Sequence, residues 1–163
     1  MRTRNILIGV GIVLAVSGWY AFRPERLFVN TTVNESLGAV TATTPTADAP
    51  MTLATGMFHS NAHETKGTAT VLDLGGGRRV LRLTDFATSN GPDVRVYLVA
   101  APDVQDDATV KTAGFVELGP MKGNIGDQNY DIPATVDLAN YRTVTIWCKR
   151  FSVNFGSAPL AKS

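Results

Sequence analysis

The chain has 163 residues, of which 44% are hydrophobic and 18% charged, and its formal net charge is +1. These values are typical of one globular domain with an appendage. Lysine and arginine nearly balance aspartate and glutamate from Asp48 onward, which argues against a nucleic-acid-binding surface. The single cysteine, Cys148, excludes an intrachain disulfide and any metal site built only from thiolates.

An uncharged apolar run over residues 6–22 predicts a transmembrane signal anchor. The run is near the lower limit of about 17 residues for a bilayer span. Arg2 and Arg4 precede it, which places residues 1–5 in the cytoplasm and the rest outside. We therefore expect a single-pass protein of the plasma (inner) membrane with a periplasmic or extracellular domain. A cleaved signal peptide is the alternative, because Ala15 and Ser17 have the spacing of a cleavage site.

Residues 23–51 predict an extended, flexible linker between the anchor and the domain. Residues 38–50 are rich in threonine, alanine and proline and have almost no bulky side chains. Such a segment does not bury enough surface to offset the entropy lost when it is ordered.

Residues 52–160 predict an all-β domain, either an antiparallel β-sandwich or a flattened barrel. Short β-patterned runs alternate with turn residues, and no sustained helical periodicity is present after the anchor. Gly75–Gly77 joins two such runs and predicts a hairpin, because glycine accepts positive φ. Ala100–Gly114 and Gly119–Tyr130 predict an acidic loop and a glycine-rich loop. Neither has the spacing of a calcium loop or a phosphate-binding loop.

The most strongly β-patterned segment of the chain contains Cys148. Val144, Ile146 and Cys148 alternate with polar or aromatic residues, as in a half-buried strand. After Cys148 the apolar residues fall on odd positions instead. Since such a shift needs a bulge or a tight turn, we predict an irregularity at Lys149–Arg150.

Four residues are candidates for redox or metal chemistry: Cys148, His59, His63 and Met121. They match the ligand types of a blue-copper site, but neither a histidine nor a methionine follows Cys148, so copper is not favoured. A haem would be held non-covalently, because the chain has no Cys-x-x-Cys-His motif. A bare thiol is the third option, with Lys149–Arg150 nearby to favour the thiolate. Against all three, a lone cysteine often packs in the core as a small hydrophobe.

Six short motifs lie between Thr52 and Leu160 in a characteristic order and spacing. They are Gly56–Phe58, His63–Gly67, Leu81–Phe86, Asn90–Leu98, Leu118–Pro133 and Ile146–Phe151. Together they resemble the DM-thirteen domain, an extracellular module of Skeletor-type animal proteins and of many membrane-anchored bacterial proteins.

The resemblance implies an all-β fold and an electron-transfer role. It implies that Cys148 acts as a bare redox thiol or as a ligand to a prosthetic group such as haem. From the residue inventory, His63 and Met121 are kept as further cofactor-binding candidates beside Cys148, and no metal site is predicted. The alternative is a non-catalytic binding module at the cell envelope that uses Gly119–Tyr130 and Asp85–Asp93. Both hypotheses are favoured over a stand-alone enzyme. The expected partners are the membrane, through the N-terminal helix, and an unidentified envelope protein.

Overall fold

A computed structural model describes residues 2–22, 29–37 and 49–163, and within the first range the side chains of residues 5–20. The remainder of the predicted linker, residues 23–28 and 38–48, lies outside the described residues, as does Met1.

The N-terminal helix α1 spans Arg2–Phe22. Among the described residues, no helix is long and apolar enough to cross a membrane, so the transmembrane helix predicted over residues 6–22 is wrong. The predicted apolar run of residues 6–22 is about 25 Å long at 1.5 Å per residue, which is shorter than a bilayer core of about 30 Å.

The remainder of the fold is two antiparallel five-stranded sheets, which confirms the predicted sandwich. The first sheet has the order β10-β1-β3-β4-β7 and contains β1 (Met51–Met57), β3 (Lys66–Asp73), β4 (Arg79–Ala87), β7 (Gln128–Ile132) and β10 (Ala161–Lys162). The second has the order β2-β9-β8-β5-β6 and contains β2 (His59–Ser60), β5 (Val94–Val99), β6 (Phe115–Pro120), β8 (Thr143–Cys148) and β9 (Val153–Pro159).

The predicted hairpin joins β3 to β4. Gly75, Gly76 and Gly77 all have positive φ, and the amide of Leu74 donates to the carbonyl of Arg78 across the turn. The hairpin register continues with Asp73 opposite Arg79. The glycines are therefore used for the left-handed backbone that the sequence indicated.

The strand β8 lies at the centre of the second sheet and is buried on both faces. Val144, Ile146 and Cys148 face the main core between the sheets. Trp147 faces a second apolar cluster on the outer side, where the short helix α2 (Asp107–Thr112) contributes the buried Val110. The prediction of a half-buried strand is therefore wrong, because α2 and its flanking loop cover the face that was expected to meet solvent.

Candidate thiol site

Cys148 is the last residue of β8, and 1% of its surface is exposed. Its register partners are Val94 on β5 and Val153 on β9. Among the described residues, the thiol forms no hydrogen bond and no disulfide. The sulfur therefore lies in an apolar environment that two neighbouring strands provide.

The backbone changes direction immediately after Cys148. A turn over residues 149–152 connects β8 to β9, and Ser152 within it has φ of 55°. The amide of Lys149 donates to the carbonyl of Asp93, 2.9 Å away. The predicted irregularity is confirmed as a tight turn at one end of the sandwich, directly beside the thiol.

The cationic side chain next to the thiol is engaged elsewhere. The ammonium group of Lys149 is exposed and lies 3.1 Å from the carboxylate of Glu117. Arg95 pairs with the same carboxylate at 2.8 Å. Lys149 is therefore committed to a surface carboxylate, whereas Cys148 faces the interior, and the expected support of Lys149 for a thiolate is not observed.

His63 lies near the same end of the sandwich as Cys148, but its ring contacts a different residue. Its backbone amide donates to the carbonyl of Phe155 at 3.2 Å, and its ring packs on the Phe155 ring with centroids 3.9 Å apart. Partial burial lowers the pKa of His63, because a charged imidazolium is poorly solvated there. The described contacts of His63 connect it to the core through Phe155 and not through the thiol.

Met121 lies on the other side of Val94 from Cys148. Its amide donates to the carbonyl of Val94 at 2.9 Å, and its side chain packs half-buried against the main core. Because Cys148 pairs with Val94 from the opposite strand, the Met121 and Cys148 backbones are about two strand spacings, or ~10 Å, apart. The structure thus brings both residues to one end of the sheet.

His59 is separated from this group and is hydrogen-bonded to a surface carboxylate. Its Nε2 lies 2.9 Å from Oδ1 of Asp103. Burial raises the pKa of Asp103, but hydrogen bonds from Gln105 and His59 outweigh burial, and the net shift is downward. His59 therefore positions the loop after β5 and does not meet the thiol.

The other carboxylates of the Ala100–Gly114 loop also have structural partners. Asp106 caps α2 by accepting from the amide of Thr109 at 2.7 Å. Asp107 accepts from the amide of Asn154 at 2.6 Å. Within residues 5–20, 29–37 and 49–163, no group of three or more histidine, cysteine, aspartate or glutamate residues is placed to hold a metal ion.

The residues around Cys148 do not fit a haem. A haem would need a cavity that opens beside the sulfur, whereas Cys148 is packed between Val94 and Val153 within the core. Every buried side-chain nitrogen or oxygen among the described residues has a hydrogen-bond partner, so none is left to bind the polar groups of a cofactor. His63 packs on Phe155, and Met121 packs against the main core cluster.

The glycine-rich loop at this end of the sandwich is held by buried polar groups. Gln128 accepts at Oε1 from the amides of Lys122 (3.1 Å) and Gly123 (3.2 Å), and donates from Nε2 to the carbonyl of Gly123 at 2.7 Å. The hydroxyl of Tyr130 donates to the same Oε1 at 2.8 Å. These bonds fix the loop in one conformation.

An extended segment, residues 29–37, docks on this loop, which the sequence did not predict. The amides of Val33 and Glu35 donate to the carbonyls of Ile125 and Asp127, both at 2.9 Å. The carboxylate of Glu35 accepts from the ammonium of Lys122 at 2.8 Å. The hydrogen bond from Lys122 is the largest influence on the pKa of Glu35 and lowers it. The pairing of Glu35 with Lys122 gives no signal in the sequence, because nearly ninety residues separate the two.

A model of the family described as "Electron transfer DM13" matches residues 57–160, which is more than half of the chain. Neither a curated protein nor a solved structure matches significantly.

Proposed function

Since the chain belongs to the DM13 electron-transfer family, we propose that its β-sandwich takes part in electron transfer and that Cys148 is the redox-active group. One observation supports the choice of Cys148. The chain's only thiol lies at the end of β8, beside the turn of residues 149–152. The ends of elements open locally at a lower free energy than a whole sheet, so this thiol can become accessible without global unfolding.

The chemistry proposed for Cys148 is that of a bare thiol. When the turn opens, the thiol loses its proton to water and the thiolate attacks a partner's disulfide. One S–S bond forms to Cys148, the partner's S–S bond breaks, and the second partner sulfur leaves as a thiolate. Cys148 is oxidised and the leaving sulfur is reduced, so electrons balance, and an incoming thiolate reverses the step.

Reaction of the full chain with a chromogenic aromatic disulfide tests this proposal. We expect Cys148 to react in native buffer faster than the whole sandwich unfolds. The matched control is Ile146→Cys in a Cys148→Ser background. Residue 146 lies two residues before Cys148 on β8 and faces the same core, but it is not at the end of the strand. Its thiol should react only at the global unfolding rate.

Equal rates for the two thiols, both matching global unfolding, would refute the redox role of Cys148. Absorbance and metal analysis give a second check. A haem or copper signal bound one to one, and lost in Cys148→Ser, would refute the bare-thiol chemistry.

A second candidate function is peptide binding at the glycine-rich loop. The observation in its favour is that Gly123–Asp127 already accepts the extended segment 29–37, with a parallel bridge between Thr32 and Ile125. A backbone that pairs with one extended segment is suited to pair with another. If Cys148→Ser is well folded and keeps its cellular function while changes at Gly123 abolish that function, peptide binding is favoured over electron transfer.

We further infer that the domain works outside the cytoplasm. The support is the apolar run of residues 6–22 with Arg2 and Arg4 before it, a pattern that directs export. A reporter that is active only after export, fused behind Ser163, tests this location. A reporter that remains inactive while the fusion protein accumulates would contradict it.

A further inference from the structure

A cavity of about 370 Å³ opens at the end of the sandwich opposite Cys148. The strand β8 runs from Thr143, next to the cavity residue Arg142, to Cys148. At about 3.3 Å per residue, this strand places the thiol about 17 Å from the cavity. The cavity therefore does not belong to the thiol site, and its volume is in the range of small-molecule sites.

The interior of the cavity is aliphatic. Its apolar lining consists of Leu53, Ala54, Val136, Leu138, Ala139 and Leu160. Leu53, Leu138 and Leu160 are only partly buried and pack against the main core from this end. None of the described residues that line it is aromatic, so its chemistry suits an alkyl chain.

The wall of the cavity is held in place by Arg79. Its Nη2 donates to the carbonyl oxygens of Pro133 (2.9 Å), Ala134 (3.0 Å) and Val136 (2.9 Å). The carboxylate of Asp137, which also lines the cavity, accepts from the amide of Ala139 at 2.9 Å. The connection between β7 and β8 is thus fixed before any ligand arrives.

Two cations, Arg142 and Lys162, lie at the rim of the cavity. Among the residues that the structure describes, the side chains of Arg142 and Lys162 form neither a hydrogen bond nor an ion pair. By contrast, Arg95 and Lys122 are both paired with carboxylates. With Arg79 and Asp137 included, the described lining residues carry three positive charges and one negative charge.

We propose that this cavity binds a small amphiphile with an aliphatic body and one anionic head group, such as a medium-chain carboxylate. The alkyl chain would lie against Leu53, Leu138 and Leu160, and the head group would be held by Arg142 and Lys162. A guanidinium matches a carboxylate with two parallel hydrogen bonds. Binding at this site is a function separate from the proposed electron transfer and does not involve Cys148.

Calorimetric titration of the full chain with octanoate tests the site, with octanol and octylammonium as neutral and cationic probes of the same length. We expect saturable one-to-one binding that favours octanoate. Arg142→Gln and Lys162→Gln should each weaken octanoate binding by up to about fivefold and leave octanol binding unchanged. The matched control is Lys66→Gln, which removes an exposed cation near the Cys148 end of the first sheet and should change neither.

Leu138→Glu separates the cavity from any binding to the apolar surface of α1. A carboxylate inside the cavity should weaken octanoate and octanol by about tenfold or more, because it brings a charge into an apolar site. Thermal unfolding shows whether this variant is folded, and Arg142→Gln provides the test if it is not. Cys148→Ser should bind octanoate like the wild type, so a failed redox role leaves this result unaffected. The proposal is overturned by non-saturable binding, by equal affinity for the three probes, or by binding that Arg142→Gln and Lys162→Gln leave unchanged.

Discussion

Replacing Cys148 by alanine and by serine measures how apolar the environment of the thiol is. Cys148→Ala removes one sulfur from a site that is 1% exposed. The lost transfer free energy of a methylene-sized group and the small cavity that remains together cost about 1–2 kcal/mol. Cys148→Ser loses similar packing and also buries a hydroxyl at a position where, among the described residues, the thiol has no hydrogen-bond partner, which adds about 1–3 kcal/mol. We therefore expect serine to destabilise the fold more than alanine.

Urea unfolding followed by tryptophan fluorescence gives the free energy of unfolding of both variants, because Trp147 is buried and precedes Cys148 in β8. The control is Met57→Ala, a side chain that is 76% exposed, which should change stability by less than about 0.5 kcal/mol. If Cys148→Ser were as stable as Cys148→Ala, the sulfur would be solvated or hydrogen-bonded in solution. The description of an apolar thiol site would then be wrong.

Three further perturbations probe the remaining features. Because burial lowers the pKa of His63, folding stability should fall as the pH drops below about 6.5, where the unfolded chain binds the proton more readily. In His63→Gln, the free energy of unfolding measured in urea should depend less on pH over this range. Burial raises the pKa of both Tyr97 and Tyr130 to about 12, so an absorbance titration should show two tyrosines that ionise late. Folding stability should decline above about pH 10, where the tyrosines of the unfolded chain ionise. Ionisation of all four tyrosines near pH 10 in the folded protein would contradict this. In Gly126→Ala the added methyl group would clash with the carbonyl of Val33 at a position whose φ is +98°, so hydrogen exchange at the Val33 amide should accelerate while exchange in β8 does not.

The local sequence signals predicted the sheets well, because they depend on neighbouring residues. The glycines between β3 and β4 and the change of phase after Cys148 both mark turns in the structure. In each case the backbone requirement is met within a few residues, by positive φ or by a shift of the alternation. The family resemblance, confirmed over residues 57–160, rests on the same kind of short, ordered motifs.

The features that the sequence did not predict depend on contacts between distant residues. The helix α2 has six residues, too few to show helical periodicity, yet it covers the outer face of β8. The segment 29–37 is polar and has little apolar pattern, and it is held by backbone hydrogen bonds to Ile125 and Asp127. The paired cations and carboxylates likewise meet only after the sheets have formed. The predicted membrane span was wrong because the apolar run of residues 6–22 is only at the lower length limit for a bilayer span. An uncharged run of that length does not by itself show that a helix crosses the membrane.

The arrangement of contacts places the thiol and the cavity in separate parts of the sandwich. Near Cys148, the carbonyl of Val94 accepts a hydrogen bond from the amide of Met121. Met121 begins the loop on which residues 29–37 dock. The thiol end of the sandwich is therefore connected by a hydrogen bond to the loop that carries the docked segment. The cavity beside Arg142 lies at the other end of β8, where the wall is held by Arg79. Because sites this far apart with no shared partners contribute independently to stability, changes at one end should leave the other unaffected. Electron transfer at Cys148 and ligand binding at Arg142 can therefore be tested separately in the same protein.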